Sequence, residues 1–338
     1  MKKLISLICV LAMVLALAAC GSSAPAAATE APAASTEAPA EDVSADKTFV
    51  VGICQLVQHP ALDAATQGFK EALTEALGDK VTFQEQNASG DSATCSLICN
   101  QFVSDEVDLI MANATASIQA AASATNTIPI LGTSITDYGV ALGVDNWTGV
   151  SGTNISGTSD LAPLDGQAAM IQELFPDAKT IGLLYCSGEP NSIFQADSME
   201  ALLTDMGYSV ERYTFADSND VSSVTANACS NADVLYIPTD NTAASCTEAI
   251  NNVALSAGIP IVAGEEGLAS GCGVATLSIS YYDLGRATGE MAAEILTEGA
   301  DISTMEVRFA PAFTKEYNAD ICEALNITVP EDYVAIAK

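Results

Sequence analysis

Phe49-Val50-Val51-Gly52-Ile53-Cys54-Gln55-Leu56 is followed closely by Pro60-Ala61-Leu62-Asp63-Ala64-Ala65-Thr66-Gln67-Gly68-Phe69-Lys70-Glu71-Ala72-Leu73-Thr74-Glu75-Ala76-Leu77. The first run is almost wholly apolar, as a strand buried on both faces must be. The second puts Leu62, Ala65, Phe69, Leu73 and Leu77 on one helical face, and Pro60 suits the first turn of a helix. The alternation continues with a strand over 81–86, a helix over 92–103, a strand over 108–112, a helix over 115–125 and a strand over 128–132. Strands alternating with helices predict a parallel sheet covered on both faces, joined by right-handed crossovers.

The scheme then repeats. Val51-Gly52-Ile53 returns as Ile181-Gly182-Leu183, Val107-Asp108-Leu109-Ile110 as Ala232-Asp233-Val234-Leu235, and Ile128-Pro129-Ile130 as Ile259-Pro260-Ile261. Offsets of 130, 125 and 131 residues predict two similar Rossmann-like lobes rather than one large sheet. The expected first lobe takes 48–158 plus about 280–304, and the second 159–279 plus about 305–338. A first crossing near 156–161 and a helix over 284–296 returning to the first lobe would form the hinge.

Ahead of these lobes, Lys2 and Lys3 precede an apolar run from Leu4 to Leu17, and Leu17-Ala18-Ala19-Cys20 is followed by Gly-Ser-Ser. A basic start, a short apolar core and small residues are the parts of a secretory leader, expected here over 1–19. Leu-Ala-Ala-Cys resembles a lipobox, which implies cleavage before Cys20 and acyl chains on its sulfur. Residues 20–47 are mostly Ala, Pro, Ser, Thr and Glu, too poor in bulky apolar side chains to fold. The expectation is a disordered tether holding the lobes at the extracytoplasmic face of the cell membrane.

A formal net charge of -32 excludes nucleic acid as a partner, since nothing would neutralise its phosphates. Of 11 Lys and Arg, two lie in the leader. A ligand carboxylate would therefore meet hydroxyls and backbone N–H groups. Cys54, Cys95, Cys99, Cys186, Cys229, Cys246, Cys272 and Cys322 sit inside predicted elements, where a small apolar residue serves equally well, and they read as mostly free thiols.

Ligands of parallel sheets sit outside the carboxyl ends of the strands, so the loops there are the candidate site. After the first strand come Gln55 and His59, the only histidine. Thr115 and Ser117 follow the third strand, and Thr133, Ser134 and Asp137 the fourth; hydroxyls beside helix-start N–H groups suit a carboxylate. The second lobe offers Ser187, Asn191, Ser192, Asp240, Asn241 and Glu265. Asp240 either caps the next helix or meets an ammonium, with Glu265 a second anion. Tyr281, beside Tyr282 at the last crossing, supplies either an aromatic wall or hinge packing. The sequence has no Gly-x-Gly-x-x-Gly after the first strand, no P-loop, no nucleophile elbow and no metal-ligand cluster. No catalytic residue, cofactor or metal is therefore expected.

Three sets of residues then carry a resemblance. They are Gly52-Ile53-Cys54-Gln55 with His59-Pro60-Ala61-Leu62-Asp63, Leu183 to Ser192, and Pro238-Thr239-Asp240-Asn241 with Tyr281-Tyr282-Asp283-Leu284-Gly285-Arg286. Together with Phe102-Val103-Ser104-Asp105, they resemble the substrate-binding proteins of ABC importers of tryptophan/tyrosine type, with the periplasmic-binding-protein type I fold. The resemblance implies two hinged lobes that close over one small molecule and deliver it to a permease driven by an ATPase. Aromatic amino acids are among the ligands it implies. A sugar or nucleoside receptor of the same fold is the alternative, and a lipid-anchored hydrolase using His59 a more distant one.

Overall fold

The computed structural model describes residues 47–310 and 312–337. The expected leader, Cys20 and the tether up to residue 46 lie outside the described residues. The opening stretch forms strand β1 (Phe49–Gln55) and helix α1 (Pro60–Leu77). Then come β2 (Val81–Asn87), α2 (Ser92–Ser104), β3 (Leu109–Asn113), α3 (Thr115–Ala124), β4 (Ile130–Ile135), α4 (Tyr138–Leu142) and β5 (Ile155–Ser159). These strands pair in parallel in the order β5-β4-β3-β1-β2.

The second lobe opens with α5 (Leu164–Leu174), β6 (Thr180–Cys186), α6 (Pro190–Asp205), β7 (Ser209–Phe215), α7 (Val221–Cys229) and β8 (Val234–Ile237). It continues with α8 (Asn241–Ala244), α9 (Thr247–Ala257), β9 (Ile261–Ala263), α10 (Glu266–Gly271) and β10 (Ala275–Ser278). Its parallel order, β10-β9-β8-β6-β7, is that of the first lobe, which is why the sequence repeats.

Helix α11 (Tyr281–Glu298) returns to the first lobe and lies along α1. Strand β11 (Arg308–Phe309) then pairs with β5, so the chain leaves the first sheet after 309 rather than near 305. Strand β12 (Thr314–Tyr317) runs antiparallel to β10, and α12 (Ala319–Ala324) and β13 (Val334–Ala335) complete the second lobe.

Close packing explains the repeated glycines. A Cβ on Gly52 would lie 2.6 Å from the Phe102 ring, and one on Gly182 would lie 2.7 Å from Leu235. Each lobe thus seats an apolar side chain flat against the first strand of its sheet. The α1–α11 seam is closer still: a Cβ on Gly285 would stand 2.0 Å from the Ala65 carbonyl oxygen. That approach fixes the returning helix to the first lobe, and with it the position of Tyr281 at its start.

All eight cysteines of the lobes are free, and only Cys229 and Cys246 are not buried. Cys54 and Cys95 both place their sulfurs 3.6 Å from the Ser117 hydroxyl.

Candidate functional site

The strand-end loops of the two lobes face each other across a cleft. Two of the three crossings between lobes lie directly after β5, at Asp160, and directly before α11, at Ser280, and the third joins β11 to β12. Of the residues expected at the strand ends, His59, Ser134, Asn191, Asp240, Asn241, Glu265 and Tyr281 line the enclosed space. Leu62, Thr136, Asp160, Thr239 and Ala244 complete the wall.

Asp160 is the most informative of these. It is 4% exposed, and its two oxygens accept from Thr136 Oγ1 at 3.0 Å and from the Tyr281 hydroxyl at 2.9 Å. It therefore ties one hinge segment to the other. Burial pushes its pKa up, against the pull of those two hydroxyls. Rotatable hydroxyls can give way to a stronger donor.

The remaining acids are held differently. Asp240 caps α8 by accepting from Ala243 N at 2.8 Å and also accepts from Cys186 N at 2.7 Å. Glu265 caps α10 through Leu268 N at 2.6 Å and Gly267 N. Each oxygen of both residues is committed to a backbone N–H. Burial raises both, Asp240 with help from the Glu189 charge, and Glu265 to about 7. Asp160, on which the sequence reading was silent, is thus the cleft acid whose partners are exchangeable hydroxyls.

His59 sits at the N-cap of α1 in extended backbone with no capping bond from its side chain. Its Nε2 lies 3.3 Å from Asn241 Oδ1 across the cleft. Glu189 accepts from Asn241 Nδ2 at 2.8 Å, which turns the Asn241 oxygen toward His59. The imidazole therefore donates from Nε2, and Nδ1 carries the lone pair. Burial lowers the pKa of His59 and keeps it neutral. Nδ1 is buried with no partner in the protein, as is the Ser134 hydroxyl.

Ser134 stands at φ 56°, a left-handed conformation in a non-glycine residue. It marks a register shift between β4 and β5, and such bulges re-aim side chains. Gln195, also missed from the sequence, is buried on α6. It donates to Thr136 Oγ1 at 3.4 Å and accepts from Thr239 Oγ1 at 2.9 Å, joining loops of both lobes.

Seven expected residues do not line the cleft. Ser117 and Thr115 lie on the inner side of α3, where Ser117 meets the thiols of the core. Thr133 accepts from Thr158 within the first lobe. Gln55 turns toward α1, bonding Asp63 and Thr66, and borders a separate polar groove of about 640 Å³ beside β2. Asp137 caps α4 through Val140 N. Ser187 is exposed and donates to the Phe215 carbonyl. Ser192, fully buried beneath the cleft wall, accepts from Asn191.

The cleft is closed tightly. The space left for the centre of a water-sized molecule is about 10 Å³, roughly what one water needs. Its lining contains three carboxylates and the His59 imidazole, and no Lys or Arg. Such a lining accepts hydrogen bonds far more readily than it supplies positive charge.

Residues 50–338 match the family model described as ABC transporter substrate binding protein. A tyrosine-binding protein of Clostridioides difficile (strain R20291) is 38% identical over 280 residues, covering 82% of this chain and 81% of that protein. The crystal structure of an ABC domain from Streptococcus pneumonia in complex with L-Trp is 31% identical, with a TM-score of 0.80 over 84% of this chain and 97% of that one. The ligand-free, open structure of a substrate-binding protein with adhesive properties from Clostridium difficile is 37% identical, yet its TM-score is 0.66 over 86% of this chain and 99% of that one. The lobes here are thus arranged more like the L-Trp complex than the open form. A parallel α/β fold in two lobes, a closed interlobe cleft and a match over nearly all of both lobes lead to one statement: the chain belongs to the family of ABC transporter substrate-binding proteins, which are binding proteins and not enzymes.

Proposed function

We propose that this protein is the lipid-anchored receptor of an ABC importer for an aromatic L-amino acid, held at the outer face of the membrane through Cys20. The observation that carries the ligand class is the cleft lining: buried acceptors, hydroxyl donors and no cationic side chain. A zwitterion suits this balance. Its ammonium meets Asp160, whose present partners are displaceable hydroxyls, and the free lone pair of His59 Nδ1. Its carboxylate meets the Ser134 hydroxyl and the donors of the loop after β4, with Asn191 and Thr239 opposite. The names of the tyrosine-binding relative and of the L-Trp complex support an aromatic side chain.

The lobes part to admit the ligand, exchanging the His59–Asn241 and Gln195–Thr136 contacts for contacts with it, and the closed form then docks on the permease. Ligand drives closure because it binds the closed arrangement better than the open one. A thermal-shift panel of aromatic and other amino acids, sugars and nucleosides tests the ligand class, since a ligand raises Tm with concentration. Stabilisation by L-tyrosine or L-tryptophan is expected; stabilisation by a sugar alone overturns the reading. For the anchor, labelled fatty acid is expected on the wild-type chain and absent from Cys20→Ala.

A further inference from the structure

The inner cleft admits little more than a water, yet a second space of about 460 Å³ opens from its outer side, between the lobes. Asn241 borders both spaces, and its contact with His59 closes the passage between them. The two spaces differ in chemistry. The outer one has an apolar floor of Leu56, Val57 and Ala116 from the first lobe, faced by Cys186 and Ala216 from the second. It also carries three carboxylates, Asp91 from the first lobe and Asp217 and Glu189 from the second, and of these Glu189 is already held by Asn241 and Thr242.

Resting on the reading of the cleft as an amino-acid site, we infer that this outer vestibule is the side-chain subsite, with the ligand ring lying across the His59–Asn241 passage. An aromatic ring fills a slot with apolar walls, and a phenol O–H or indole N–H at its edge meets Asp91 or Asp217. Anionic side chains are rejected, because Asp91 and Asp217 would face them with like charge. The inner residues then select the amino-acid backbone, and the vestibule selects the side chain.

Gly188 provides the test. It borders the vestibule, and its φ lies outside the left-handed region. A Cβ there would be 3.7 Å from Cys186 Sγ and 4.0 Å from the Ala216 carbonyl oxygen, which is ordinary contact. A Gly188→Phe side chain can therefore occupy the slot without straining the backbone. Calorimetric titration of the detergent-solubilised full chain compares L-tyrosine, L-tryptophan, L-arginine, L-glutamate and L-alanine. For the wild type, either aromatic ligand is expected to bind at least about tenfold tighter than the other three, a gap of about 1.4 kcal/mol. In Gly188→Phe that advantage disappears while Tm without ligand is unchanged, and Ala116→Phe, from the half-buried first turn of α3, removes the advantage from the opposite lobe. Unchanged aromatic affinity in both variants overturns the subsite and leaves the amino-acid reading standing. Tighter binding of L-arginine than of either aromatic ligand overturns the aromatic slot. Failure of every amino acid to bind the wild type overturns the reading beneath it.

Discussion

Replacing Asp160 by Asn removes one charge from the centre of the proposed site and little else. The side chain is enclosed, and its two oxygens are met by Thr136 at 3.0 Å and Tyr281 at 2.9 Å. In the empty protein the amide fits the same volume. One hydroxyl still donates to the amide oxygen, and the other can rotate to accept from the amide N–H. Burial already disfavours the Asp160 charge, so stability without ligand is expected to hold or rise. The liganded protein behaves differently. Truncating one partner of a buried, hydrogen-bonded charge pair costs about 2–5 kcal/mol. At about 1.4 kcal/mol per factor of ten, L-tyrosine affinity should fall by roughly 30-fold to a few thousandfold. The assay is calorimetric titration of both proteins at neutral pH, repeated with 3-(4-hydroxyphenyl)propanoate, which lacks the ammonium. The wild type should reject this analogue strongly and the variant should discriminate far less. Wild-type affinity for L-tyrosine in Asp160→Asn would refute the assignment.

Other consequences follow from packing and titration. Gly285→Ala would push a methyl against the Ala65 carbonyl, an overpacking cost of about 1–3 kcal/mol, so a thermal melt should show a Tm drop of several degrees; an unchanged Tm would mean the α1–α11 seam is looser than described. Glu265 has a folded pKa of about 7, above the ordinary 4.5, chiefly from burial. A raised carboxyl favours the folded form below the ordinary value and withdraws that contribution as pH climbs to the folded value, here between 4.5 and 7, by up to about 3 kcal/mol. The stability of wild type relative to Glu265→Gln should therefore decline across that window, and parallel pH profiles would count against it. In native protein, thiol reagents should modify Cys229 and Cys246 first among the lobe cysteines, because the other six are buried. Mass mapping of the labelled peptides checks this, and early labelling of Cys95 or Cys272 would contradict it.

The fold was legible because its signals are local. Pro60 at the start and the apolar face from Leu62 to Leu77 marked α1, and the structure places the helix at Pro60–Leu77. Repeated apolar triplets marked strands in the same position of both sheets. β5 was harder to read, since Ile-Ser-Gly-Thr-Ser lacks an apolar run, although all five residues are buried. Its neighbour Asp160 was therefore read as part of a crossing and passed over as part of the cleft wall. The candidate site was half legible for a related reason. Strand-end loops could be located, but the direction of each side chain depends on tertiary packing. Ser117 turns inward to Cys54 and Cys95, whereas a bulge turns Ser134 into the cleft. Asp240 and Glu265 showed the right charge at the right rim. Only the structure shows that backbone N–H groups already occupy their oxygens.

Calorimetric titration of the full chain with L-tyrosine and L-tryptophan, followed by recovery of the ligand, bears most directly on the central claim. The account predicts one saturable site per chain for at least one of them, a negative heat-capacity change as the lobes enclose apolar surface, and unaltered amino acid on release. Absence of saturable heat with both ligands, or their chemical conversion during incubation, would contradict it.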